Sequence, residues 1–206
     1  MSLLFETIKI VSKKMLNVSF HNERMNRSRY ELFGCRDELN LNEVVEIPND
    51  ITKEVYKCKV IYSDTIKDVE FRKYIPRKID HLKLLQCDEI DYSYKYLDRS
   101  VFEELLKKNN CRENEDILIV KNGRITDTTY SNIVLFDRIE WHTPLSPLLK
   151  GTKRAKLIFH KRILEKDILV EDLQHYEKLV LINAMLEFDP VNAKLVKDFV
   201  VSKRVK

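Results

Sequence analysis

Apolar residues alternate around β-branched positions from Leu4 to Ile10, a period of two that predicts a strand with one face turned inward. His21–Phe33 changes to a helical pattern, and Gly34 is its predicted C-terminal stop. Val55–Tyr62 and Ile66–Tyr74 are strand-like runs joined by Ser63-Asp64-Thr65, which predicts a hairpin. Tyr74-Ile75-Pro76-Arg77 breaks that pattern, and Ile79–Leu85 reads as a further strand.

The acidic, tyrosine-rich stretch from Cys87 to Tyr94 marks a predicted domain boundary. It separates a small N-terminal α/β domain over 1–85 from a C-terminal α/β domain over 88–206. Phe102, Leu105 and Leu106 set a helix over Ser100–Lys108. Ile117–Val120 and the run from Ile125 flank Asn122-Gly123, a dipeptide with the backbone freedom a two-residue hairpin turn needs. Thr152–Leu164 predicts an amphipathic helix opened by Gly151 and Thr152. Leu179–Met185 predicts a buried strand, and two short strand-like pieces follow.

Composition narrows the function classes. The 206 residues are 44% apolar and 34% charged, and the net charge of +4 is interleaved with acids, so no nucleic-acid partner is expected. The four cysteines form no Cys-x-x-Cys pair, which fits reduced thiols better than a disulfide frame or a zinc site, and the histidines lack metal-ligand spacing. No apolar run approaches the ~20 residues of a membrane helix. The N-terminus lacks the order of a signal peptide, so no membrane partner and a cytoplasmic location are expected. With three glycines in all, neither Gly-x-Gly-x-x-Gly nor Gly-x-x-x-x-Gly-Lys-Ser/Thr occurs. A phosphate would have to be held without a glycine loop.

Two of those glycines fall between Gly123 and Arg154, where the candidate chemistry also lies. A pyridoxal cofactor needs a lysine amine for its aldehyde, a carboxylate for its pyridine nitrogen and several donors for its phosphate. Lys95, Asp127 and the helix start Gly151-Thr152-Lys153 meet these needs in chain order. Each has an ordinary alternative: a solvated lysine, a turn or edge acid, a plain helix cap. Lys95 stands out by lying between Tyr94 and Tyr96. Gly151, without a Cβ, is read as the position where the chain packs closely on the ligand.

A resemblance joins these separate signals. Ile125-Thr126-Asp127-Thr128-Thr129-Tyr130-Ser131-Asn132-Ile133-Val134, then Trp141-His142-Thr143-Pro144 and Leu148-Leu149-Lys150-Gly151-Thr152-Lys153-Arg154, resembles the signature of the class IV aminotransferases. Leu4-Phe5-Glu6-Thr7-Ile8 is similar to the family's early Phe-Glu strand, His21-Asn22-Glu23-Arg24-Met25 to its His-x-x-Arg-Leu helix, and Asn183-Ala184-Met185 to a late strand near the active site. The resemblance implies an α/β (α+β) chain with the two-domain architecture of fold type IV, D-amino acid aminotransferase-like, with a shortened N-terminal domain. It implies pyridoxal 5'-phosphate as cofactor and a homodimer.

By the same resemblance Lys95 is the catalytic lysine that carries the cofactor as a Schiff base, and Asp127 stands where relatives use Glu for the pyridine nitrogen. Arg24 is a phosphate ligand, Thr152 and Lys153 bind phosphate through their backbone amides, and Asn132 fixes the signature loop. His142, beside the Thr-Pro of the motif, reads as a structural histidine. The sequence departs from the pattern in the shorter acid, in lacking a strand pair before Phe-Glu, and in a short segment between Tyr62 and Tyr74. Asp98 and Arg99 also stand where a tyrosine often follows the lysine. The implied activity is a 4-amino-4-deoxychorismate lyase of folate synthesis, giving pyruvate and 4-aminobenzoate. A transaminase acting on branched-chain or D-amino acids is the alternative. A non-catalytic ligand-binding relative is disfavoured by retention of Lys95, Asp127 and Arg24 together.

Overall fold

The computed structural model describes residues 2–201. The chain separates into two compact units, one of the residues up to Ile75 with Tyr94–Asp98, the other of Pro76–Ser93 with the residues from Arg99 onward.

In the first unit the predicted alternation becomes one fully buried face and one partly buried face of an antiparallel sheet. Its strands are β1 (Leu4–Val11), β2 (Lys14–Met15), β3 (Val55–Tyr62) and β4 (Ile66–Lys73), in the order β2-β1-β3-β4. Leu4, Ile8 and Ile10 of β1 pack with Cys58, Val60 and Tyr62 of β3. Met25 of helix α1 (Val18–Phe33) and Leu41 of α2 (Leu41–Val44) close this core. α1 begins three residues before His21, after Asn17 in the left-handed region, and stops at Gly34 with φ of 70°. Tyr94–Asp98 joins this unit through an antiparallel bridge between Leu4 and Tyr96 and the bond from Leu97 N–H to the Leu3 carbonyl, 2.8 Å.

The second unit contains, in chain order, β5 (His81–Gln86), α3 (Ser100–Lys108), β6 (Glu115–Lys121), β7 (Arg124–Thr128), β8 (Asn132–Phe136), β9 (Trp141–Pro144) and α4 (Thr152–Phe159). There follow β10 (Leu164–Lys166), a 3-10 turn at Glu171–His175, β11 (Lys178–Ile182), β12 (Lys194–Leu195), α5 (Val196–Phe199) and β13 (Val200–Val201). Among the described residues the strands form two sheets, β13-β5-β6-β7 and β10-β9-β8-β11-β12. Asn122 and Gly123, with φ of 51° and 74°, turn β6 into β7 as the dipeptide predicts.

Two expectations change here. The boundary between 85 and 88 moves, because β5 pairs in parallel with β6 along its whole length and so belongs to the second unit. The helix predicted over Thr152–Leu164 ends at Phe159. Lys161 turns in the left-handed region (φ 54°), Ile163 is buried with Leu157, Val180 and Ile182, and Leu164–Lys166 pairs with β9 instead. No helix among the described residues is long and apolar enough to cross a membrane.

Candidate functional site

In the second unit the site is built around Asp127, one residue from the end of β7 and 4% exposed. Its Oδ1 accepts from Asn132 Nδ2 at 2.8 Å and its Oδ2 from the Leu149 N–H at 2.9 Å. Asn132 opens β8, and the same Nδ2 donates to the Leu149 carbonyl at 2.8 Å. One side chain therefore ties the acid, the start of a strand and the loop leading into α4. Between them Thr128 closes the turn: its N–H donates to the Ser131 carbonyl (2.9 Å) and its hydroxyl accepts from the Ser131 N–H (3.1 Å).

Gly151 is required by packing within the fold itself. A Cβ at this position would lie 2.0 Å from Asn132 Oδ1. The close approach is that of the Asn132 amide, so the missing side chain serves the latch between Asn132 and α4.

Gly151 also caps α4, and its carbonyl accepts the Ala155 N–H at 2.9 Å. Thr152, Lys153 and Arg154 form the buried first turn. The first N–H groups of a helix have no partner within it, and the helix dipole adds roughly half a positive charge there. The Lys153 ammonium is committed to Glu187 at 2.6 Å, so the backbone is what Lys153 offers at the helix start. Arg154 donates to the Pro144 carbonyl (2.8 Å) and to Glu165 (2.5 Å), tying α4 to β9 and β10.

Burial pushes the Asp127 carboxyl up to about 6, against the opposing effects of the Leu149 N–H, Asn132 and the field of Arg154. Its hydrogen-bond partners are neutral. A buried carboxylate held by neutral donors lacks a touching countercharge. The protonated ring nitrogen of pyridoxal phosphate would supply one, and the α4 start presents the donors its phosphate needs. The residues present in this unit fit that cofactor.

In the first unit Tyr94 and Tyr96, 6.0 Å apart between ring centroids and edge to face, pack towards the core. The residue between them, Lys95, places its Nζ 4.5 Å from the centre of the Phe5 ring. Arg24 on α1 is buried and turns one edge of its guanidinium to Glu6, with Nε to Oε1 at 2.8 Å and Nη2 to Oε2 at 2.5 Å. His21 Nδ1 meets the same carboxylate at 2.6 Å. Burial alone would raise the Glu6 carboxyl, but the Arg24 guanidinium and the hydrogen bonds from His21 and Arg24 bring it down to about 2. Burial lowers His21, opposed by Glu6. Arg24 thus has a structural duty, as the countercharge of Glu6, beside the phosphate contact read from the sequence.

The structure gathers Asp127, Asn132, Gly151, Thr152 and Lys153 in one unit, and Lys95 and Arg24 in the other. Three residues without a role in the sequence reading join them. Glu6 clamps Arg24, and the signal for it was an acid at the inward position of an alternating strand, between Leu4 and Ile8. Asn183 Nδ2 donates to Ser131 Oγ at 3.1 Å, which ties the turn after β11 to the signature loop. The Arg99 guanidinium donates to the Thr129 carbonyl and lies 4.3 Å from the Tyr130 ring centre. His142 is buried in β9, with Asp137 Oδ2 3.5 Å from its Nδ1 and the Tyr176 ring edge to face. It packs as a structural residue.

Comparison with known proteins agrees with this architecture. The amino-transferase class IV family model matches residues 92–193. An uncharacterized protein of Haemophilus influenzae is 32% identical over 184 residues, covering 88% of this chain and 97% of that one. A solved structure from Haemophilus somnus 129PT, provisionally assigned as a 4-amino-4-deoxychorismate lyase, is similar with a TM-score of 0.81 at 30% identity, covering 91% of this chain and 98% of that one. A hypothetical aminotransferase of Mycobacterium tuberculosis in its PLP-bound form shares the fold at 18% identity, with a TM-score of 0.72 and coverage of 97% and 81%. The chain is an enzyme of the class IV aminotransferase family, with the mixed α/β architecture of fold type IV.

Proposed function

We propose that the enzyme depends on pyridoxal 5'-phosphate and acts as a 4-amino-4-deoxychorismate lyase, releasing pyruvate and leaving 4-aminobenzoate. The observation that carries the lyase reading is the similarity, over 98% of its length, to the Haemophilus somnus protein provisionally assigned that activity. The cofactor reading is supported by Asp127, a buried carboxyl raised to about 6 whose hydrogen-bond partners are neutral.

In this reading Lys95 holds the cofactor, and its amine serves as the general base and acid that moves the substrate proton. Asp127 keeps the ring nitrogen protonated, with Asn132 and the Leu149 N–H fixing the carboxylate. The backbone N–H groups of Thr152 and Lys153 hold the phosphate, and Arg24 adds formal charge. Bound pyridoxal phosphate supplies the electron sink. The working form is a cytoplasmic homodimer.

The test is a product assay on cofactor-loaded protein with aminodeoxychorismate beside a panel of amino acids with 2-oxoglutarate. Pyruvate and 4-aminobenzoate are expected. Amino transfer to 2-oxoglutarate without pyruvate would replace the lyase with a transaminase. Gel filtration checks the dimer.

A further inference from the structure

Lys95 lies on a short excursion whose two ends are held together by one side chain. Tyr94–Asp98 belongs to the first unit, whereas Ser93 and Arg99 on either side of it belong to the second. Arg99 is fixed through its backbone as the N-cap of α3, where its carbonyl accepts the Phe102 N–H at 3.0 Å and the Glu103 N–H at 3.2 Å. Its guanidinium reaches back to the other end. Nη1 donates to the Tyr92 hydroxyl at 3.2 Å, and the group lies 5.6 Å from the centre of that ring. The Phe102 ring, edge to face with Tyr92, stands 4.8 Å from the same guanidinium. Both rings are buried.

Nη2 serves the loop that follows Asp127. It donates to the Thr129 carbonyl, and the Tyr130 ring centre lies 4.3 Å from the guanidinium. Thr129 is held from its other side too, because it is buried and its hydroxyl donates to Asp116 Oδ1 at 2.6 Å. One cation thus joins a residue four positions after Lys95 to a carbonyl two positions after Asp127. At ~3.3–3.6 Å per extended residue both tethers are short. The chain itself takes 32 residues to run from Lys95 to Asp127. A planar guanidinium suits this duty, since it presents several donors in its plane and stacks through its faces. A clasp that served stability alone could lie anywhere in the unit; this one closes on the residues that flank the lysine and the acid.

We propose that Arg99 is a positioning residue that acts through Lys95. By clasping both ends of the excursion to the signature loop, it sets how readily the Lys95 amine attacks the aldehyde of bound pyridoxal phosphate. In that step the Lys95 nitrogen bonds the aldehyde carbon, and the aldehyde oxygen leaves as water. The inference rests on the assignment of Lys95 as the cofactor lysine.

The experiment mixes the protein, freed of cofactor, with increasing pyridoxal phosphate and follows the visible cofactor band by stopped flow. The rate at saturation reports attack by Lys95, and the half-saturating concentration reports how well the phosphate is held. Arg99→Met lowers the saturating rate by about tenfold or more, the rate equivalent of a lost charge-assisted hydrogen bond, and leaves half-saturation unchanged. Arg99→Lys, which keeps the charge but not the fork, restores part of the rate. Tyr130→Leu, at an exposed ring, lowers it by about twofold to fivefold, the worth of an exposed cation–π contact. Arg124→Met, which removes an exposed pair with Asp167, leaves it unchanged. A parent-like saturating rate in Arg99→Met, or a change confined to half-saturation, makes the clasp purely structural and overturns the proposal. If Arg99→Met does not fold, Tyr130→Leu at an unchanged melting temperature decides: a slower rate supports the proposal and a parent-like rate overturns it. Borohydride mapping of the parent protein separates the two claims. With the label on Lys95, parent-like rates in the variants sink the Arg99 role alone, whereas a label elsewhere sinks the lysine assignment and this inference with it.

Discussion

Glu6 and Asp127 are both closed to solvent, at 0% and 4% exposure, yet their carboxyls move in opposite directions, down to about 2 and up to about 6. Burial raises both. The difference is a guanidinium: Glu6 bonds Arg24 through both oxygens, whereas Asp127 bonds an amide side chain and a backbone N–H. The first acid is neutralised within the fold and holds α1 on β1. The second has no cation among its hydrogen-bond partners, which is why we propose it as the carboxylate that meets the cofactor.

The comparison breaks most severely at Glu6. Glu6→Gln leaves the Arg24 guanidinium buried without its carboxylate, at a cost of about 3–5 kcal/mol in urea unfolding. Arg24→Met should cost as much, because it strands Glu6, and the double variant less than either alone. A loss below ~1 kcal/mol for Glu6→Gln would mean that the pair is solvated in solution.

Asp127→Asn tests the other half. The amide cannot keep a ring nitrogen protonated, so turnover falls by about tenfold to a hundredfold or more, the rate equivalent of a lost charge-assisted hydrogen bond. Cofactor retention changes little, since the phosphate contacts remain. Unchanged turnover would return Asp127 to a purely structural role.

The two acids also predict opposite pH limbs for the cofactor-free protein. Asp127 titrates near 6 when folded, above its ordinary 3.8, so its contribution to stability is full below that ordinary value and is lost as pH rises through 6. Glu6 titrates near 2, below its ordinary 4.5, so its contribution is full above 4.5 and is lost as pH falls towards 2. Each limb amounts to about 3 kcal/mol. Denaturation midpoints across this range should flatten on the neutral side in Asp127→Asn and on the acid side in Glu6→Gln.

A smaller effect sharpens the geometry around Asp127. Gly151→Ala places a Cβ against Asn132 Oδ1 and should cost about 1–3 kcal/mol, the usual cost of overpacking. In an Asn132→Ala background the same substitution should cost much less. An equal cost in both backgrounds would show that the clash lies elsewhere.

What the sequence made legible is what is decided locally. β1, β3 and β4 follow from alternation, the β6–β7 turn from Asn122-Gly123, and the end of α1 from Gly34, because neighbouring residues settle each. Lys95, Asp127 and the α4 start were singled out only through a family resemblance, which links residues far apart in the chain. Contacts between distant residues were not. β5 changes units through a partner strand beyond α3, and α4 stops short because Ile163 packs against Val180 and Ile182 of β11. The duty of Glu6 needs a helix 18 residues away to become visible, and the need for glycine at 151 depends on a side chain in β8.

The central claim is that Lys95 carries pyridoxal phosphate, and one measurement tests it directly. The protein is loaded with the cofactor, reduced with borohydride, digested and mapped by mass spectrometry. The account predicts a single modified peptide, with the label on Lys95, in both the parent protein and Asp127→Asn. A label on another lysine, or none on a loaded protein, would contradict it.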